Sequence, residues 1–383
     1  MARVVQKYGG SSVADLDRIS LVAERIAACH KLGDEVVVVV SAMGNTTNEL
    51  IALAQQVTDR PDRRELDMLI SVGERISMAL LAMKLRDLGV PARSLTGSQS
   101  GIITNESHAD AEVVEVRPAR VQRLLDQGFV VIVAGFQGVS RAREVTTLGR
   151  GGSDTTAVVL AAALEATHCE ICSDVDGVWS ADPRVVPDAI RLDELSLDEG
   201  LALARGGAKV LFEDALRYAR DRGVTLRATA THGPGAGTTL STEPVSSGQT
   251  SVTGDRQLRA LRVGAEASTA TLARAIANHG FRLRRRVGAT LHLDTRNAHG
   301  RVEWPVGIED LGDISVVTAV GSCLGESPGR LADADEALET LCIEVEARGS
   351  HGDSGWWQVG DADLDRAVVA IHGALHKVAP TPE

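Results

Sequence analysis

The first 240 residues alternate short apolar runs with longer stretches of helical periodicity. The runs at residues 36–40 and 130–133 are continuously apolar, as expected of strands that are buried on both faces. Apolar residues recur at helical spacing over residues 17–30, 64–88 and 155–166. This alternation predicts an α/β fold, with a mostly parallel open sheet that carries helices on both faces.

The rest of the chain has a different pattern. Gly, Pro, Ser and Thr are frequent over residues 241–254, which predicts a linker after a first domain at residues 1–240. Residues 255–310 are predicted to form strand, helix, strand and strand at 261–263, 268–279, 281–283 and 290–293. Residues 311–383 repeat this order and add a helix, at 313–320, 329–338, 342–346, 356–359 and 364–376. We therefore expect two small α+β modules of βαββα type.

Length and charge narrow the class of protein. A chain of 383 residues with 44% hydrophobic residues can form more than one buried core. Its formal net charge of -12 argues against sequence-independent binding to nucleic acid. It contains neither an apolar run of about 18 residues, as a spanning helix needs, nor a signal-like amino terminus. We expect a cytoplasmic protein with no membrane or nucleic-acid partner.

Five cysteines are spread along the chain, and Cys169 and Cys172 form its one CxxC pair. Residues three apart on a strand point to opposite faces. We therefore interpret both as buried thiols and not as a metal or redox pair.

Candidate chemistry follows the predicted strands. Near the amino terminus, Lys7 precedes a turn containing Gly9, Gly10 and Ser11. Glycines let backbone N–H groups approach phosphate oxygens, and a lysine adds positive charge, although a Gly-Gly turn is commonly only a turn. Ser41 and Thr47 follow the next strand, where ligands of open α/β sheets gather, or where an ordinary helix cap forms.

Two further segments carry charged candidates. Glu74, in Ser-Val-Gly-Glu-Arg-Ile-Ser, could bind an ammonium group or be an ordinary surface carboxylate. Residues 146–156 read Thr-Thr-Leu-Gly-Arg-Gly-Gly-Ser-Asp-Thr-Thr before an apolar helix. Free N–H groups at a helix start favour an anion, and Arg150 can hold a carboxylate with two hydrogen bonds. Asp154 either caps this helix or orients the metal and phosphates.

Residues 172–184 bring carboxylates, a ring and a guanidinium after another strand, in Cys-Ser-Asp-Val-Asp-Gly-Val-Trp-Ser-Ala-Asp-Pro-Arg. Carboxylates near a nucleotide phosphate commonly serve Mg²⁺ through water, whereas a turn rich in Asp and Gly is the plainer interpretation. Lys209 offers one more cation, although most lysines are only solvated.

In this order and at this spacing, the motifs resemble the aspartate kinase branch of the amino acid kinase family. The resemblance covers nearly all of residues 1–240 and is carried by KYGGSSV, VSAMGNTTN, SVGERIS, TGSQSG, VAGFQG, TTLGRGGSDTT and SDVDGVWSADPR. It implies that Lys7 and Asp154 act at the reacting groups. It implies an aspartate site formed by Ser41, Thr47, Glu74 and Arg150. It also implies a nucleotide site formed by Gly9, Gly10, Ser11, Ser153, Ser173, Asp174, Trp179, Asp182, Arg184 and Lys209. Trp179 stands where the family often has tyrosine.

The resemblance also implies a reaction. ATP and Mg²⁺ would phosphorylate the side-chain carboxylate of L-aspartate by in-line transfer, giving 4-phospho-L-aspartate. The family's product enters lysine, threonine and methionine synthesis and passes to a reductase, a semialdehyde dehydrogenase. Magnesium would come with ATP and lie near Asp174, with no other metal site expected.

The carboxyl-terminal modules resemble the family's paired ACT domains, which bind end-product amino acids. Residues 265–269 replace the family's Lys-Pro-Gly turn, and residues 280–286, Gly-Phe-Arg-Leu-Arg-Arg-Arg, replace its asparagine-containing pocket segment. We therefore predict weak feedback inhibition by lysine and threonine, with the modules kept mainly for forming a homodimer.

Two alternatives stay open at this point. The chain could phosphorylate another small amino acid, an idea that the presence of Thr47, Glu74 and Arg150 disfavours. It could also be an amino acid sensor without catalysis, which the presence of Lys7 and Asp154 beside altered ACT segments disfavours.

Overall fold

The computed structural model describes residues 2–233, 235–243, 245, 249–298, 300 and 302–376. The chain divides into two compact units. The first comprises Met1–Val178, Asp193–Gly200 and Val210–Pro244, and the second comprises Trp179–Leu192, Leu201–Lys209 and Val245–Glu383. Two segments within the predicted first domain thus belong to the second unit, and the domain limits at residues 240, 254 and 310 stay predictions.

Strands and helices alternate along the first unit. The strands are β1 (Arg3–Tyr8), β2 (Glu35–Val40), β3 (Ala92–Leu95), β4 (Ile102–Thr104), β5 (Val113–Val116), β6 (Val130–Ala134), β7 (Gln137–Ser140), β8 (Val145–Thr147), β9 (His168–Ser173), β10 (Glu194–Ser196), β11 (Leu226–Ala230) and β12 (Thr238–Ser241). The helices are α1 (Leu16–Lys31), α2 (Thr46–Val57), α3 (Arg63–Ile70), α4 (Val72–Asp87), α5 (Gly97–Ser100), α6 (Ala119–Asp126), α7 (Gly152–Ala163), α8 (Leu197–Arg205) and α9 (Glu213–Arg222). The division between the two units falls within α8.

The main sheet has the strand order β10-β12-β11-β9-β1-β2-β6-β3. Its neighbours are parallel except for β11 and β12. Val36, Val38 and Val40 pack in one core cluster with residues of α1 and α4, and α7 packs against β1, β2 and β9. Val37 and Val39 are also fully buried. The predicted parallel sheet, covered on both faces, is therefore confirmed.

The predicted helices need small corrections. The stretch at 64–88 forms two helices, because the chain turns at Ser71 between α3 and α4. Periodicity misses this break, since the Ser71 N–H still donates to the carbonyl of Asp67, as in an uninterrupted α-helix. The stretch at 155–166 begins earlier, at Gly152, because Gly151 adopts φ +72° there.

A second, four-stranded sheet in the first unit has the order β5-β4-β7-β8. Strand β8 ends at Thr147 and leads into the glycine-rich segment before α7. Cys169 and Cys172 lie on β9 as buried free thiols, as predicted.

The second unit contains two copies of one motif on a six-stranded antiparallel sheet. The first copy is β13 (Ser251–Val263), α10 (Thr269–Asn278), β14 (Arg282–Val287) and β15 (Thr290–Asp294). The second copy is β16 (Ile308–Val320), α11 (Pro328–Thr340), β17 (Val345–His351), β18 (Ser354–Val359) and α12 (Leu364–Leu375). The sheet order is β14-β15-β13-β16-β18-β17. The order β-α-β-β and its repeat are thus confirmed.

Two predicted boundaries in this unit are wrong. The strand predicted at 342–346 begins only at Val345, because Cys342 has φ +53° and cannot extend a strand. Strand β13 begins at Ser251, inside the predicted linker. Residues 244 and 246–248 of that linker lie outside the described residues.

In the described part of the chain, no helix is both long and apolar enough to cross a membrane.

The core between α1, α4 and the main sheet should carry much of the stability of the first unit. We expect Leu81→Ala, at a fully buried position in α4, to lower the free energy of unfolding by about 2–5 kcal/mol through lost burial and a cavity. Hydrogen exchange of the β2 amides measures this change. Leu53→Ala in α2 is the control, because Leu53 is 51% exposed, and an equal loss there would contradict the assignment.

Candidate active site

A buried ion pair joins the end of the central strand to the start of a helix. Lys7 is the next-to-last residue of β1, and Asp154 lies in the first turn of α7. The Lys7 Nζ atom is 2.6 Å from Asp154 Oδ1, and the two side chains are 11% and 2% exposed. Asp154 therefore does not serve as the helix cap, a position that Gly151 occupies. The pair places an ammonium group at the carboxyl edge of the parallel sheet.

The glycine turn after β1 lies against the loop after β2. The Gly44 N–H donates to the Gly10 carbonyl at 3.1 Å. A Cβ atom at Gly10 would lie 3.0 Å from the Ala42 carbonyl oxygen, and one at Gly9 would lie 3.4 Å from Lys7 Nζ. A side chain at Gly10 would therefore crowd the Ala42 carbonyl, whereas a Cβ atom at Gly9 would be in ordinary contact with Lys7. Backbone N–H groups and the ammonium group can therefore face the same ligand.

The segment between β8 and α7 has the form of an anion site. Gly149 and Gly151 adopt φ +70° and +72°, which leaves Arg150 between them on an exposed turn. Helix α7 starts at Gly152 without a side-chain cap. The Gly152 N–H donates to the Gly149 carbonyl at 3.1 Å, so the N–H groups of Ser153 and Asp154 are the ones that can face a ligand. Ser153 is buried in this turn.

Gly135, which follows β6, has no side chain, and this allows the sheet edge to come close to α7. A Cβ atom at this position would lie 2.7 Å from Ser153 Oγ and 3.0 Å from the Ser153 Cα atom. A side chain here would push the first turn of α7 away from the edge.

Glu74 lies in the first turn of α4 and is only 3% exposed. Its Oε1 atom accepts a hydrogen bond from the Ala42 N–H at 3.1 Å. Its Oε2 atom is buried, and among the described residues it has no hydrogen-bond partner. Burial raises the pKa of this carboxyl from its ordinary value of 4.5 to about 7. A surface carboxylate is therefore the wrong interpretation of Glu74, since this group lacks the cation or donor that its burial calls for.

Ser41 and Thr47 complete the same edge. Ser41 directly follows β2, and its N–H donates to the carbonyl of Tyr8 at 3.1 Å. Thr47 lies in the first turn of α2. Both side chains are half-buried. The Ala42 N–H in this loop donates to Glu74. The hydroxyl groups of the loop and the Glu74 carboxylate therefore belong to the same part of the site.

Ser11, Ser173 and Asp174 also belong to the first unit. Ser11 is exposed in the helical turn Gly10–Val13 that follows β1. Ser173 ends β9, and its hydroxyl accepts a hydrogen bond from the Val175 N–H at 3.2 Å. Asp174 is exposed directly after β9, which is parallel to and paired with β1.

The other predicted nucleotide-site residues lie in the second unit. Asp182 and Arg184 pair with each other at 2.6 Å on the surface, and this hydrogen bond lowers the pKa of Asp182. Lys209 is exposed, and its charge also contributes to that lowering. Trp179 is partly buried against the core of the second unit and forms an isolated β-bridge with Arg191. Their position beside Lys7 stays a prediction.

One buried residue in this region was not predicted. Asp67, in α3, is fully buried and accepts hydrogen bonds from the Thr147 hydroxyl, the Ala109 N–H and His108 Nδ1. The one sequence signal is an acidic residue within an apolar helical stretch just before the Glu74 motif. Its partners are far away in sequence, and so the pattern alone does not reveal them.

A surface cavity of about 610 Å³ lies elsewhere in the first unit and is lined by Leu21, Arg25, Thr229, Thr231, His232, Gly233 and Gly235. The guanidinium of Arg25 is already bound by the carbonyls of Ala230 and Thr231 and by Glu170. The one guanidinium among its described lining residues is thus already bound by protein acceptors. A hydrogen bond of 2.5 Å between the Ser12 and Thr231 hydroxyls links its rim to the glycine turn.

The donor groups fit a magnesium ion that arrives with a nucleotide. No group of three or more His, Cys, Asp or Glu side chains suited to a metal ion occurs in the part of the chain that the structure describes. Mg²⁺ commonly uses one or two carboxylates and completes its coordination with water and substrate phosphates. The exposed Asp174 supplies such a carboxylate, whereas Asp154 is held by Lys7.

Comparisons with known proteins show the family of the chain. Residues 2–228 match the amino acid kinase family. The aspartokinase of Mycobacterium tuberculosis (strain ATCC 25618 / H37Rv) is 42% identical over 412 aligned residues, covering 98% of this chain and 96% of that protein. The aspartokinase of Geobacillus stearothermophilus is 41% identical over 370 residues, covering 90% of each.

A solved structure shares the fold over almost the whole chain. The crystal structure of Escherichia coli aspartokinase III, in complex with aspartate and ADP, superposes with a TM-score of 0.83 at 24% identity. The match covers 98% of this chain and 100% of that one. The chain therefore belongs to the amino acid kinase family and, within it, to the aspartokinases.

Proposed function

We propose that the protein transfers the γ-phosphoryl group of ATP to the side-chain carboxylate of L-aspartate, giving ADP and 4-phospho-L-aspartate. The observation that carries this proposal is one sheet edge with two opposite features. A buried cation, Lys7, lies beside the glycine turn, and one oxygen of a buried carboxylate, Glu74, has no hydrogen-bond partner among the described residues. The first feature suits phosphate, and the second suits the ammonium group of an amino acid.

The reaction needs no general base. The β-carboxylate of aspartate is ionised at neutral pH and can attack the γ-phosphorus directly. The new O–P bond forms while the bond between the γ-phosphorus and the β,γ-bridging oxygen breaks, and ADP leaves with that electron pair. Lys7, the Gly10 N–H and the start of α7 stabilise the charge on the transferring group. Asp154 orients the Lys7 ammonium group through their ion pair.

The amino acid is held at both ends. Glu74 receives the ammonium group, because its Oε2 atom has no other partner among the described residues. Arg150 receives a carboxylate from an exposed turn beside the start of α7. Ser41 and Thr47 add hydroxyl groups from the loop that Glu74 already contacts.

The nucleotide lies along the carboxyl ends of β1 and β9. Its phosphates meet Gly9, Gly10, Ser11 and Ser153, and Ser173 and Asp174 follow β9. Trp179, Asp182, Arg184 and Lys209 are proposed for the nucleoside end by resemblance to the family. Bound Mg²⁺ would be held through Asp174 and would neutralise phosphate charge.

The second unit is proposed to form a homodimer and to respond weakly to end products. Arg284 is paired with Asp294, and the Arg285 guanidinium stacks 4.7 Å from the Trp356 ring centroid. Two arginines of the segment that replaces the family's effector pocket therefore already contact other side chains of this unit. We also propose a cytoplasmic location, where ATP and aspartate are abundant, and delivery of the product to a semialdehyde dehydrogenase.

Two alternatives predict other results. A kinase for another amino acid would prefer a different acceptor in a substrate panel, and a sensor without catalysis would release no ADP. The free oxygen of buried Glu74 and the Lys7–Asp154 pair favour the aspartate kinase.

Arg150→Ala should abolish most aspartate-dependent ADP formation, because the guanidinium supplies the carboxylate contact. We expect kcat/KM for L-aspartate to fall at least about 100-fold, as for a lost hydrogen-bonded charge pair. A coupled ADP assay measures it, and circular dichroism checks folding. Arg120→Ala, at an exposed position in α6, is the control. Unchanged turnover in the Arg150 variant would reject the site.

The pH dependence of aspartate use should follow Glu74. Its folded-state pKa of about 7 means that protonation below pH 7 removes the charge that binds the ammonium group. At saturating MgATP, kcat/KM for L-aspartate should therefore fall about tenfold per pH unit below 7 and level off above it.

Glu74→Gln should remove this pH dependence and lower kcat/KM at pH 8 by about 10- to 100-fold. Glu24→Gln, at an exposed position in α1, should leave both unchanged. A pH profile that persists in the Glu74 variant would show that another group causes it.

Feedback inhibition should be weak. Initial rates at saturating ATP should stay close to the uninhibited rate when L-lysine and L-threonine are added, alone and together, at physiological concentrations. A collapse of activity under these conditions would contradict the proposed loss of the effector pocket.

A further inference from the structure

Asp67 is a buried carboxylate that accepts hydrogen bonds from three different groups. Its Oδ1 atom accepts from the Thr147 hydroxyl at 2.5 Å and from the Ala109 N–H at 3.0 Å, and its Oδ2 atom lies 2.7 Å from His108 Nδ1. An ionised carboxylate accepts all three hydrogen bonds, whereas an amide would place N–H groups against donors. The network therefore calls for an aspartate at position 67.

These partners belong to the two segments that support the Arg150 turn. Thr147 ends β8, three residues before Arg150. The loop that contains His108 and Ala109 packs against the same turn, because a Cβ atom at Gly149 would lie 2.6 Å from Asp110 Oδ1. The Ala111 N–H also donates to the Thr147 carbonyl at 2.9 Å. Asp67 thus fixes the base of the turn that presents Arg150.

The same residue lies next to the Glu74 side of the site. Asp67 is in α3, and its carbonyl accepts a hydrogen bond from the Ser71 N–H at 3.1 Å, just before α4 carries Glu74. The Ser71 carbonyl in turn accepts a hydrogen bond from Gln137 Nε2 at 2.8 Å, on the strand paired with β8. Short, buried contacts therefore connect the element that bears Glu74 with the element that leads to Arg150.

We propose that Asp67 is a positioning residue that sets the spacing between Glu74 and Arg150, and thereby the selection of aspartate over the longer glutamate. This inference rests on the proposed function, in which these two side chains hold the ammonium and a carboxylate of the substrate. A hydrophobic pocket discriminates only modestly between substrates that differ by one methylene group. A rigid spacing between two charged groups should discriminate more strongly between aspartate and glutamate. The Asp67 network supplies that rigidity from behind the site.

Thr147→Val tests the proposal, because it removes the hydroxyl that joins Asp67 to β8 and keeps a similar shape. We expect KM for L-aspartate to rise about tenfold, as for the loss of a hydrogen bond to a charged group. The preference for L-aspartate over L-glutamate should fall by a similar factor, while kcat and KM for ATP change less than about twofold. Thr147→Ser keeps the hydroxyl and should restore the wild-type values.

A matched control separates positioning from loss of stability. Thr104→Val removes another buried hydroxyl of the same small sheet, which is bonded at 2.6 Å to the Thr146 hydroxyl and not to Asp67. It should lower the melting temperature to a similar extent and leave KM for aspartate unchanged. An equal rise of KM in this control, or wild-type KM and selectivity in Thr147→Val, would overturn the inference.

A second variant tests the same proposal if Thr147→Val does not fold. His108→Leu removes the contact with Asp67 Oδ2 at a half-buried position and should change KM and selectivity in the same direction. Wild-type values in this variant would also overturn the inference. If the wild-type protein phosphorylates no L-aspartate, both the proposed function and this inference fail. Aspartate turnover with unchanged selectivity in the variants defeats the inference alone.

Discussion

The buried ion pair between Lys7 and Asp154 is the contact on which the proposed active site depends. A lysine at the end of a central strand is costly to bury unless a carboxylate pairs with its ammonium group. Asp154 does so at 2.6 Å from the first turn of α7. The pair exists because β1 lies at the middle of the parallel sheet and α7 begins at its carboxyl edge. It also fixes where a phosphoryl group can be stabilised.

Around this pair, charge is separated along one sheet edge. Lys7, the glycine turn and the start of α7 present an ammonium group and backbone N–H donors to phosphates. Glu74, which accepts a hydrogen bond from the Ala42 N–H, is a carboxylate whose burial raises its pKa. Such an arrangement suits a zwitterionic acceptor whose ammonium and carboxylate groups are recognised separately. Catalysis then consists of placement and charge stabilisation, because the acceptor oxygen is already a nucleophile.

Much of the fold could be predicted from sequence because its signals are local. The continuous apolar run at 36–40 indicated a strand buried on both faces. In the second unit, the repeated order of strand, helix, strand and strand was visible in the sequence. Boundaries set by long-range packing were not predictable. The break at Ser71 is one example, because Gly73 beside it packs against Ala42 from a distant loop.

The active site, too, was only partly predictable from the sequence. Motifs indicated Lys7, Glu74 and Arg150 as chemical groups, whereas the pairing of Lys7 with Asp154 and the burial of Glu74 required the folded chain. Asp67 was missed because its partners come from residues 108, 109 and 147. The central claim is transfer to the side-chain carboxylate of aspartate, and the most direct measurement is identification of the acyl phosphate formed with MgATP and L-aspartate after borohydride reduction. The account predicts homoserine, the alcohol derived from the 4-phosphate. Recovery of 3-amino-4-hydroxybutanoate, or of neither alcohol, would contradict it.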